Sequence, residues 1–404
     1  AEPLGQVADA DVEPAELELV AAGPGLLQVQ FLEDHLAALL DLGLELAELV
    51  VVQRAGRAGA AVLDLGPGAT ARVELVVLLP DEKQTISGRV VDDRGRPVRG
   101  ATLRGVERLI AHVRSMAPVR MVVVHPCDAL SLGGAMDARE AGVIVPVLVA
   151  PEEKLRRVAA DAGIDLAGCE IVDAPHSHGA AAIAARLAGK GEVQALMKGS
   201  LHSDELLSAI LAPDAGLRTE RRLTHCFIME TASYPRPFII TDAAINIAPT
   251  LSEKADIVRN AIELAHVIGV AEPRVAILAA VETVNPHMPS TLDAAALCKM
   301  ADRGQITGGL LDGPLAFDNA VSPEAARVKG IRSQVAGRAD VLVVPDLESG
   351  NMLAKQLEYL GGANSAGIVM GARVPVVLTS RADSRQTRLA SCAIAVMLAQ
   401  PARA

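Results

Sequence analysis

The chain has 404 residues, with 38 Lys and Arg against 49 Asp and Glu, and only six aromatic residues, none of them Trp. The first 53 residues hold 11 acidic residues and no Lys or Arg, which equals the net charge of −11, so the remainder is formally neutral. Binding to nucleic acid relies on a basic surface and on aromatic stacking platforms, so we expect no nucleic-acid partner. No apolar run approaches the roughly 18–20 residues that cross a bilayer, and no secretory signal is visible, so we expect no membrane partner and a cytoplasmic location.

The five cysteines support the same location. They are isolated in the sequence and show no CxxC spacing: Cys127, Cys169, Cys226, Cys298 and Cys392. An odd number of scattered cysteines argues against a disulfide framework and against a structural zinc site. We expect reduced thiols that act mainly as small buried hydrophobic side chains.

Residues 1–100 differ from the rest of the chain in composition and charge, because they are rich in Ala, Gly, Leu, Val and Glu. The predicted elements are a helix over Phe31–Val52 and strands over Val73–Leu79 and Thr85–Val91. A basic run from Arg89 to Arg108 follows them. We therefore expect an acidic N-terminal segment over 1–100 and a separate domain over 101–404.

From residue 101 onward, short runs rich in Val and Ile alternate with longer helical patterns. The predicted strands are Met121–Val124, Val143–Val149, Val193–Met197, Phe238–Thr241, Val275–Val281, Val341–Val344 and Val374–Leu378. These runs are apolar on both faces, as in a parallel sheet covered by helices on both sides. A helix is predicted over Glu253–Ile268, preceded by a capping box that begins at Thr250. The alternation predicts an α/β fold.

Polar residues follow most of these strands at the point where each strand ends. They are His125, Lys198, Ser200, Asp242, Glu282, Asp346 and Ser380. In open parallel sheets the ligand crevice lies outside the carboxyl ends of the strands, so this edge is where a site is expected. The alternative is that these loops are polar only because they are exposed.

The segment after the last predicted strand is the most informative. Three arginines there share one helix face: Arg381, Arg385 and Arg388. Cations near a helix N-terminus oppose the macrodipole at a cost of about 0.3–1 kcal/mol each. This unfavourable placement indicates that the arginines bind an anion such as phosphate. Ser380 can donate to the same anion or to a substrate carbonyl. The alternative is that the arginines pair with nearby acids such as Asp383.

A second candidate group follows the third predicted strand. Lys198, Ser200 and His202 are candidates to bind an anionic substrate, and Gly199 lets the backbone pass close to a ligand. The alternative is a well-capped surface helix with Ser203 as its N-cap.

A third candidate group combines acids with flexible backbone. Asp312, Asp318, Asp346 and Asn351 are candidates to bind substrate, although Asn351 is also a candidate N-cap for a helix over Met352–Leu360.

Metal and nucleotide signatures are weak in this sequence. His176 and His178 stand two residues apart without an accompanying acid or cysteine pattern, so no metal site is predicted. Phosphate-loop and dinucleotide-binding glycine motifs are both missing, which argues against nucleotide hydrolysis and against a nicotinamide cofactor.

The segments that follow the strands resemble the phosphate acetyl/butyryl transferase family. The resemblance covers about residues 105–400 and rests on seven ordered motifs: Val124–Asp128, Lys198–His202, Ile239–Asn246, Val281–Pro286, Leu311–Ala320, Pro345–Asn351 and Leu378–Ser384. The form Thr-Ser-Arg-Ala-Asp-Ser in the last motif looks more like the butyryl branch and the bifunctional enoyl-CoA hydratase/phosphate acetyltransferases than like the simple acetyl enzymes.

The resemblance implies a fold like that of the isocitrate and isopropylmalate dehydrogenases, with two α/β/α subdomains flanking a cleft. Subdomain I is expected over about 101–245 and 370–404, and subdomain II over about 246–369. The implied reaction converts acyl-CoA and phosphate to acyl phosphate and CoA, with acetyl or butyryl as the acyl group. CoA is then a substrate, no cofactor is needed, and a homodimer or higher homo-oligomer is expected.

The family's Ser-Arg pair after the last strand maps onto Ser380 and Arg381. In acetyl-transferring relatives a catalytic Asp lies further into the helix, where this chain has Thr387, and the nearest acid here is Asp383. Either Asp383 accepts the thiol proton or deprotonation is arranged differently. This departure keeps open a second hypothesis, a non-catalytic module that binds acyl-CoA or acyl phosphate and regulates a partner.

The bifunctional relatives carry an N-terminal hydratase-like hot-dog domain, and residues 1–100 occupy its place. The paired Asp and His of the hydratase signature are missing, because His35 stands alone after Asp34 on a helical pattern. We therefore expect a truncated or degenerate domain here and no hydratase activity.

Overall fold

A computed structural model describes residues 106–380 and 383–400, together with short strands between residues 20 and 92. The chain divides into two compact units, Ala1–Leu103 and Arg104–Ala404. The expected helix over Phe31–Val52 is wrong near its end, where Glu48–Val50 forms a strand, since its run of Leu and Val suits a strand. The rest of that helix lies outside the described residues.

The strands of the first unit form three antiparallel pairs. They are β1 (Val20–Ala21) with β2 (Leu27–Gln28), β3 (Glu48–Val50) with β4 (Val62–Asp64), and β5 (Ala71–Leu75) with β6 (Gly88–Asp92). The last pair overlaps the two strands expected in this region.

The second unit alternates strands and helices. Its described strands are β7 (Val119–Val124), β8 (Ile144–Ala150), β9 (Glu170–Asp173), β10 (Ala195–Lys198), β11 (Thr224–Glu230), β12 (Phe238–Thr241), β13 (Arg274–Leu278), β14 (Leu310–Leu315), β15 (Val341–Val343), β16 (Asn364–Met370) and β17 (Val376–Val377). Its described helices are α1 (Val106–Val113), α2 (Ala129–Glu140), α3 (Glu152–Asp161), α4 (Ser177–Gly189), α5 (Ser203–Ile210), α6 (Leu251–Val267), α7 (Pro289–Asp302), α8 (Phe317–Val321), α9 (Pro323–Val328), α10 (Leu347–Tyr359) and α11 (Arg385–Ala399).

The described strands of the second unit join one sheet, in the order β14-β13-β15-β12-β11-β16-β17-β10-β7-β8-β9. Strands β17, β10, β7, β8 and β9 form one parallel block, and strands β12, β15, β13 and β14 form another. Between the blocks, the pairs β17–β16, β16–β11 and β11–β12 are each antiparallel. Three reversals mean that the two blocks run in opposite directions, and the register places Thr241 at the end of β12 level with Val377 at the end of β17.

Helices cover both faces of this sheet, which confirms the predicted α/β class. On one face, residues of α1, α2, α3, α6, α7 and α11 form a continuous apolar core with strands of both blocks. On the other face the core is divided, with α4 and α5 packed on the first block and α8, α9 and α10 packed on the second. The second unit thus has two α/β/α halves, and on this face the division between their cores falls between β16 and β11. In the described part of the chain, no helix is long and apolar enough to cross a membrane.

The predicted N-terminus of α6 is confirmed in detail. The Thr250 backbone N–H donates to the Glu253 carboxylate at 2.8 Å, which completes the expected capping box. The subdomain boundaries near 245 and 370 stay a prediction. Strand β12, which the first of these boundaries assigns to subdomain I, pairs with the second block of the sheet.

Candidate functional site

The loop after β17 begins where the chain leaves the centre of the sheet. Strand β17 has only two residues. On the neighbouring strand β16, the Gly367 N–H donates to the Ser391 hydroxyl of α11 at 3.0 Å. Ser380 is exposed on this loop. Arg381, the central residue of the predicted phosphate site, lies outside the described residues. The loop therefore leaves the continuous sheet at the border of the first parallel block, where β17 meets β16.

Asp383 is the carboxylate of this loop. It accepts the Ser380 backbone N–H at 2.7 Å, so it fixes the turn that carries Ser380. Burial raises the pKa of Asp383 above its ordinary value, and this outweighs the opposing effects of the Ser380 N–H and of the Lys355 charge. A carboxylate with a raised pKa is a stronger proton acceptor, which suits the base role predicted for Asp383.

Lys355 on α10 is a charged neighbour that the sequence analysis missed. Its ammonium donates to Glu358 at 2.8 Å, and the Glu358 carboxylate in turn accepts the Ser365 hydroxyl at 3.2 Å. Desolvation would lower the pKa of Lys355, but the Glu358 hydrogen bond and the nearby carboxylates, Asp383 among them, raise it. The lysine stays charged, so α10 brings a cation from the second half of the protein towards the Ser380 loop.

The arginines of α11 contact the neighbouring helix α2. Arg385 is 63% exposed at its side chain and forms ion pairs with Asp137 at 2.7 Å and Glu140 at 3.9 Å. Arg388 is buried against Gly134, where a Cβ atom would lie 2.8 Å from the arginine Cδ. Arg385 therefore fits the alternative stated for the three arginines, because it pairs with acidic residues. These acidic residues lie on α2.

Thr387 takes part in the start of α11. The Ser384 hydroxyl caps the helix by accepting the Thr387 N–H at 3.0 Å, and it lies 3.0 Å from the Thr387 hydroxyl. The Thr387 carbonyl accepts the Ser391 hydroxyl at 2.8 Å. Thr387 thus has a structural role here, and it supplies no carboxylate.

The loops after β7 and β10 are bonded to each other through Ser200. Its hydroxyl donates to the His125 carbonyl at 2.8 Å and accepts the Cys127 N–H at 3.1 Å. His125 has a φ of 54°, a left-handed conformation that is uncommon for a residue other than glycine and that Ser200 stabilises. Lys198 ends β10 and is partly buried. His202 is exposed and is itself the N-cap of α5, so the expectation that Ser203 caps this helix is wrong by one residue.

Gly199 is required by a close approach of two backbones rather than by a ligand. A Cβ atom at this position would lie 2.4 Å from the Val124 carbonyl oxygen and 2.7 Å from that of His125. We expect Gly199→Ala to lower the free energy of unfolding by about 1–3 kcal/mol, because backbone atoms must move to relieve the overlap. Denaturant unfolding measures this change. Gly133→Ala in α2 is the control, since its Cβ would meet only Ile164 at 4.0 Å, and equal stability of both variants would contradict the prediction.

The third candidate group belongs to the second block of the sheet, and its acids have local roles. Asp312 lies within β14 and accepts the Gly313 N–H at 2.9 Å, while Asp318 is exposed in the first turn of α8. Asp346 caps α10 by accepting the Ser349 N–H at 2.8 Å. Asn351 donates to the Ala243 carbonyl at 3.1 Å, so the expected helix start with Asn351 as its cap is wrong.

The structure places the ends of these strands close to the level at which β17 ends. Strands β12, β13 and β15 run opposite to β17, but Thr241 at the end of β12 is level with Val377 at the end of β17, so one common crevice stays a prediction. Asp242, which follows β12, is buried, and its carboxylate accepts the N–H groups of Ala244 and Ile245 at 2.9 and 3.0 Å. It therefore stabilises the turn onto which α10 packs.

The histidines and cysteines singled out in the sequence have local structural contacts or are buried. His176 caps α4 by accepting the Gly179 N–H at 3.1 Å, and His178 lies 3.3 Å from Glu205. Among the described residues, no group of three His, Cys, Asp or Glu side chains is arranged to hold a metal ion. All five cysteines are free, and burial raises the pKa of Cys226 and Cys392 to about 12, which makes these two thiols unreactive.

A cavity of about 380 Å³ lies near the start of β17, away from Ser380. Its lining includes Arg221, Glu263, Arg373 and Pro375. Arg221 is already ion-paired with Glu263, and Arg373 donates to the Gly216 carbonyl at 2.9 Å. The charges of Arg221, Glu263 and Arg373 are thus used within the protein.

Comparison with known proteins links this site to a family. Residues 178–396 match the family described as Phosphate acetyl/butaryl transferase. The phosphate acetyltransferase of Rhizobium meliloti is 61% identical over 298 residues, which cover 74% of this chain and 94% of the relative. The phosphate butyryltransferase of Clostridium acetobutylicum is 40% identical over 297 residues, which cover 74% of this chain and 99% of the relative.

A solved structure agrees with these relatives. The crystal structure of a branched-chain phosphotransacylase from Enterococcus faecalis V583 matches with a TM-score of 0.62 at 30% identity, covering 70% of this chain and 99% of that protein. The motifs, the α/β fold and the sequence identity lead to the same conclusion: the chain belongs to the phosphate acetyl/butyryl transferase family.

Proposed function

We propose that the protein is a phosphate acyltransferase, which converts acyl-CoA and phosphate to acyl phosphate and CoA in the gap between its two halves. The observation that carries this proposal is the loop after β17. In a chain 61% identical to a phosphate acetyltransferase, it brings Ser380 together with a desolvated carboxylate, Asp383.

The reaction divides between these residues as follows. A phosphate oxygen attacks the thioester carbonyl, a C–O bond forms, and the C–S bond breaks to release CoA. Arg381 holds the phosphoryl oxygens and offsets the charge that develops in the tetrahedral transition state, while the Ser380 hydroxyl donates to the substrate. In the reverse direction Asp383 accepts the proton of the CoA thiol. Holding both substrates in one site supplies a large part of the rate.

Acetyl is the proposed acyl group, because the 61% identical relative is an acetyltransferase and the butyryltransferase of Clostridium acetobutylicum is 40% identical. A pocket that differs by one methylene discriminates by about 1–3 kcal/mol, or roughly 10- to 200-fold. We expect acetyl-CoA to have the highest kcat/KM in a series from acetyl- to hexanoyl-CoA, measured by thiol release with and without phosphate. A maximum at butyryl-CoA would reassign the acyl group, and release without phosphate would overturn the function.

The proposal also covers the cofactor requirement, the cellular location and the assembly of the enzyme. CoA is a substrate, and the scheme needs no further cofactor. The unpaired cysteines suit the reducing cytoplasm, and we place the enzyme there as a homodimer or higher homo-oligomer. Subdomains divided near residues 245 and 370, and a degenerate hot-dog-like segment over 1–100, complete the proposed organisation.

The alternative of a non-catalytic binding module depends on Thr387, which hydrogen-bonds to Ser384 and offers no carboxylate. Asp383 supplies a carboxylate four residues earlier, so the catalytic function is favoured. Binding of acetyl phosphate without CoA-dependent turnover would instead support the module.

A further inference from the structure

His225 lies where the two halves meet, on the side of the sheet where the core is divided. It is 1% exposed and stands on β11, one of the central strands that separate the two parallel blocks. Along β11, Cys226 and Ile228 face the continuous helical core, whereas Phe227 and Met229 face the divided side. Because side chains alternate along a strand, His225 shares the divided face with Phe227.

The imidazole of His225 and the carbonyl of Leu378 converge over Gly367. A Cβ atom on Gly367 would lie 3.0 Å from the His225 Nε2 and 3.2 Å from the Leu378 carbonyl oxygen, so only glycine fits under both groups. The ring forms a hydrogen bond with the Leu378 backbone and packs edge-on against Phe227, with 4.4 Å between ring centroids. Leu378 is the first residue after β17 and precedes Ser380 by two positions.

The other ring nitrogen has no comparable contact. The Nδ1 atom is buried and has no hydrogen-bond partner among the described residues. A polar atom without a hydrogen bond inside a protein costs free energy. We therefore infer that the His225 side chain makes another interaction that outweighs the cost of its unpaired Nδ1. The bond to Leu378 is the interaction that distinguishes this histidine from an apolar side chain of similar size.

The charged groups that face the ring are Asp242 from the end of β12 and Lys355 from α10. Burial lowers the pKa of His225 to about 4, and the Asp242 charge opposes this only in part. The imidazole is therefore neutral near pH 7. A neutral ring has one N–H donor, and the Leu378 carbonyl uses it.

We propose that His225 is a positioning residue for acyl transfer: its N–H holds the Leu378 carbonyl and thereby sets where the loop that carries Ser380 leaves the sheet. This inference rests on the proposed phosphate acyltransferase function. His225 would then influence catalysis without contacting the substrates, although it lies more than 150 positions before the Ser380 loop in the sequence.

Three variants of His225 test the hydrogen bond separately from the shape of the side chain. Gln places an amide donor near the position of Nε2, Asn places one near Nδ1, and Leu has no donor. We expect His225→Leu to lower kcat/KM for phosphate about 100-fold at a normal melting temperature, as a small misplacement of reacting groups does. We expect Gln to restore activity to within tenfold of the wild type and Asn not to restore it.

Cys226→Ala is the matched control, because Cys226 is equally buried on the same strand but faces the continuous core. It is expected to lower the melting temperature while kcat stays within twofold. Gly367→Ala provides a second route should His225→Leu fail to fold, since its Cβ pushes on both Nε2 and the Leu378 carbonyl without removing a polar group. It is expected to lower kcat at least tenfold.

The outcomes separate the two proposals. Normal kcat/KM for phosphate in folded His225→Leu or in Gly367→Ala, or equal rescue by Asn and Gln, would overturn the role of His225 while the function stands. Wild-type protein that releases no CoA in response to phosphate would overturn the function itself.

Discussion

Arg381→Ala is expected to lower kcat/KM for phosphate by about 10²–10³, the cost of removing one group that stabilises a developing oxyanion. Arg381 follows Ser380 directly in the sequence, and Asp383, two residues later, accepts the Ser380 backbone N–H. A guanidinium binds two phosphate oxygens at once, so Arg381→Lys is expected to recover only part of the loss. Initial rates at varied phosphate measure both variants.

Arg157→Ala is the control for this experiment, because Arg157 is an exposed arginine of α3. Its kinetic constants are expected to stay within twofold of the wild type. Unchanged phosphate kinetics in Arg381→Ala would contradict the assigned role. Arg385→Ala is expected to have a smaller effect than Arg381→Ala, because Arg385 is ion-paired with Asp137 on α2.

Asp383→Asn is expected to lower kcat for acetyl phosphate and CoA by about 10²–10⁴, the usual contribution of a general base. Asn keeps an oxygen that accepts the Ser380 N–H, so the loop should stay in place. The wild-type rate should fall as the pH drops through the raised pKa of Asp383, because the base must be ionised, and this acid limb should be missing in the variant. A pH series of kcat measures both effects.

The same Asp383→Asn substitution, which is expected to lower activity, is not expected to lower stability. Burial raises the pKa of Asp383 in the folded state, so above that pKa the charged carboxylate destabilises the folded protein. Removing the charge should therefore leave the melting temperature at pH 7 unchanged or raise it. Asp302→Asn, at the exposed end of α7, is the control for activity. A variant that is both active and less stable would show that Asp383 is a structural residue only.

The sequence predicted much of the fold because the parallel strands carry their own signal. Each of the seven predicted apolar runs overlaps an observed strand, since these strands are buried on both faces. Strands β9, β11, β14 and β16 were missed. Strand β16 contains Ser365 and Gly367, and β14 contains Gly313 followed by Pro314, so their composition is unlike that of a central or regular strand.

These missed strands also determine the surroundings of the site. The antiparallel strands β11 and β16 reverse the direction of the second block, so the polar residues that follow its strands come after strands that run opposite to β17. The loop carrying Ser380 and Asp383 was predicted from local features alone. Lys355 and His225 reach that loop only through the tertiary fold, and neither has a local pattern that marks it.

The most direct test of acyl transfer to phosphate is ³¹P NMR of purified protein with acetyl-CoA and orthophosphate. We predict a new acyl phosphate resonance that grows in a 1:1 ratio with free CoA and disappears when excess CoA is added, because the reaction is reversible. Free CoA that accumulates while the orthophosphate signal stays constant would instead show thioester hydrolysis, and would contradict the proposed transfer to phosphate.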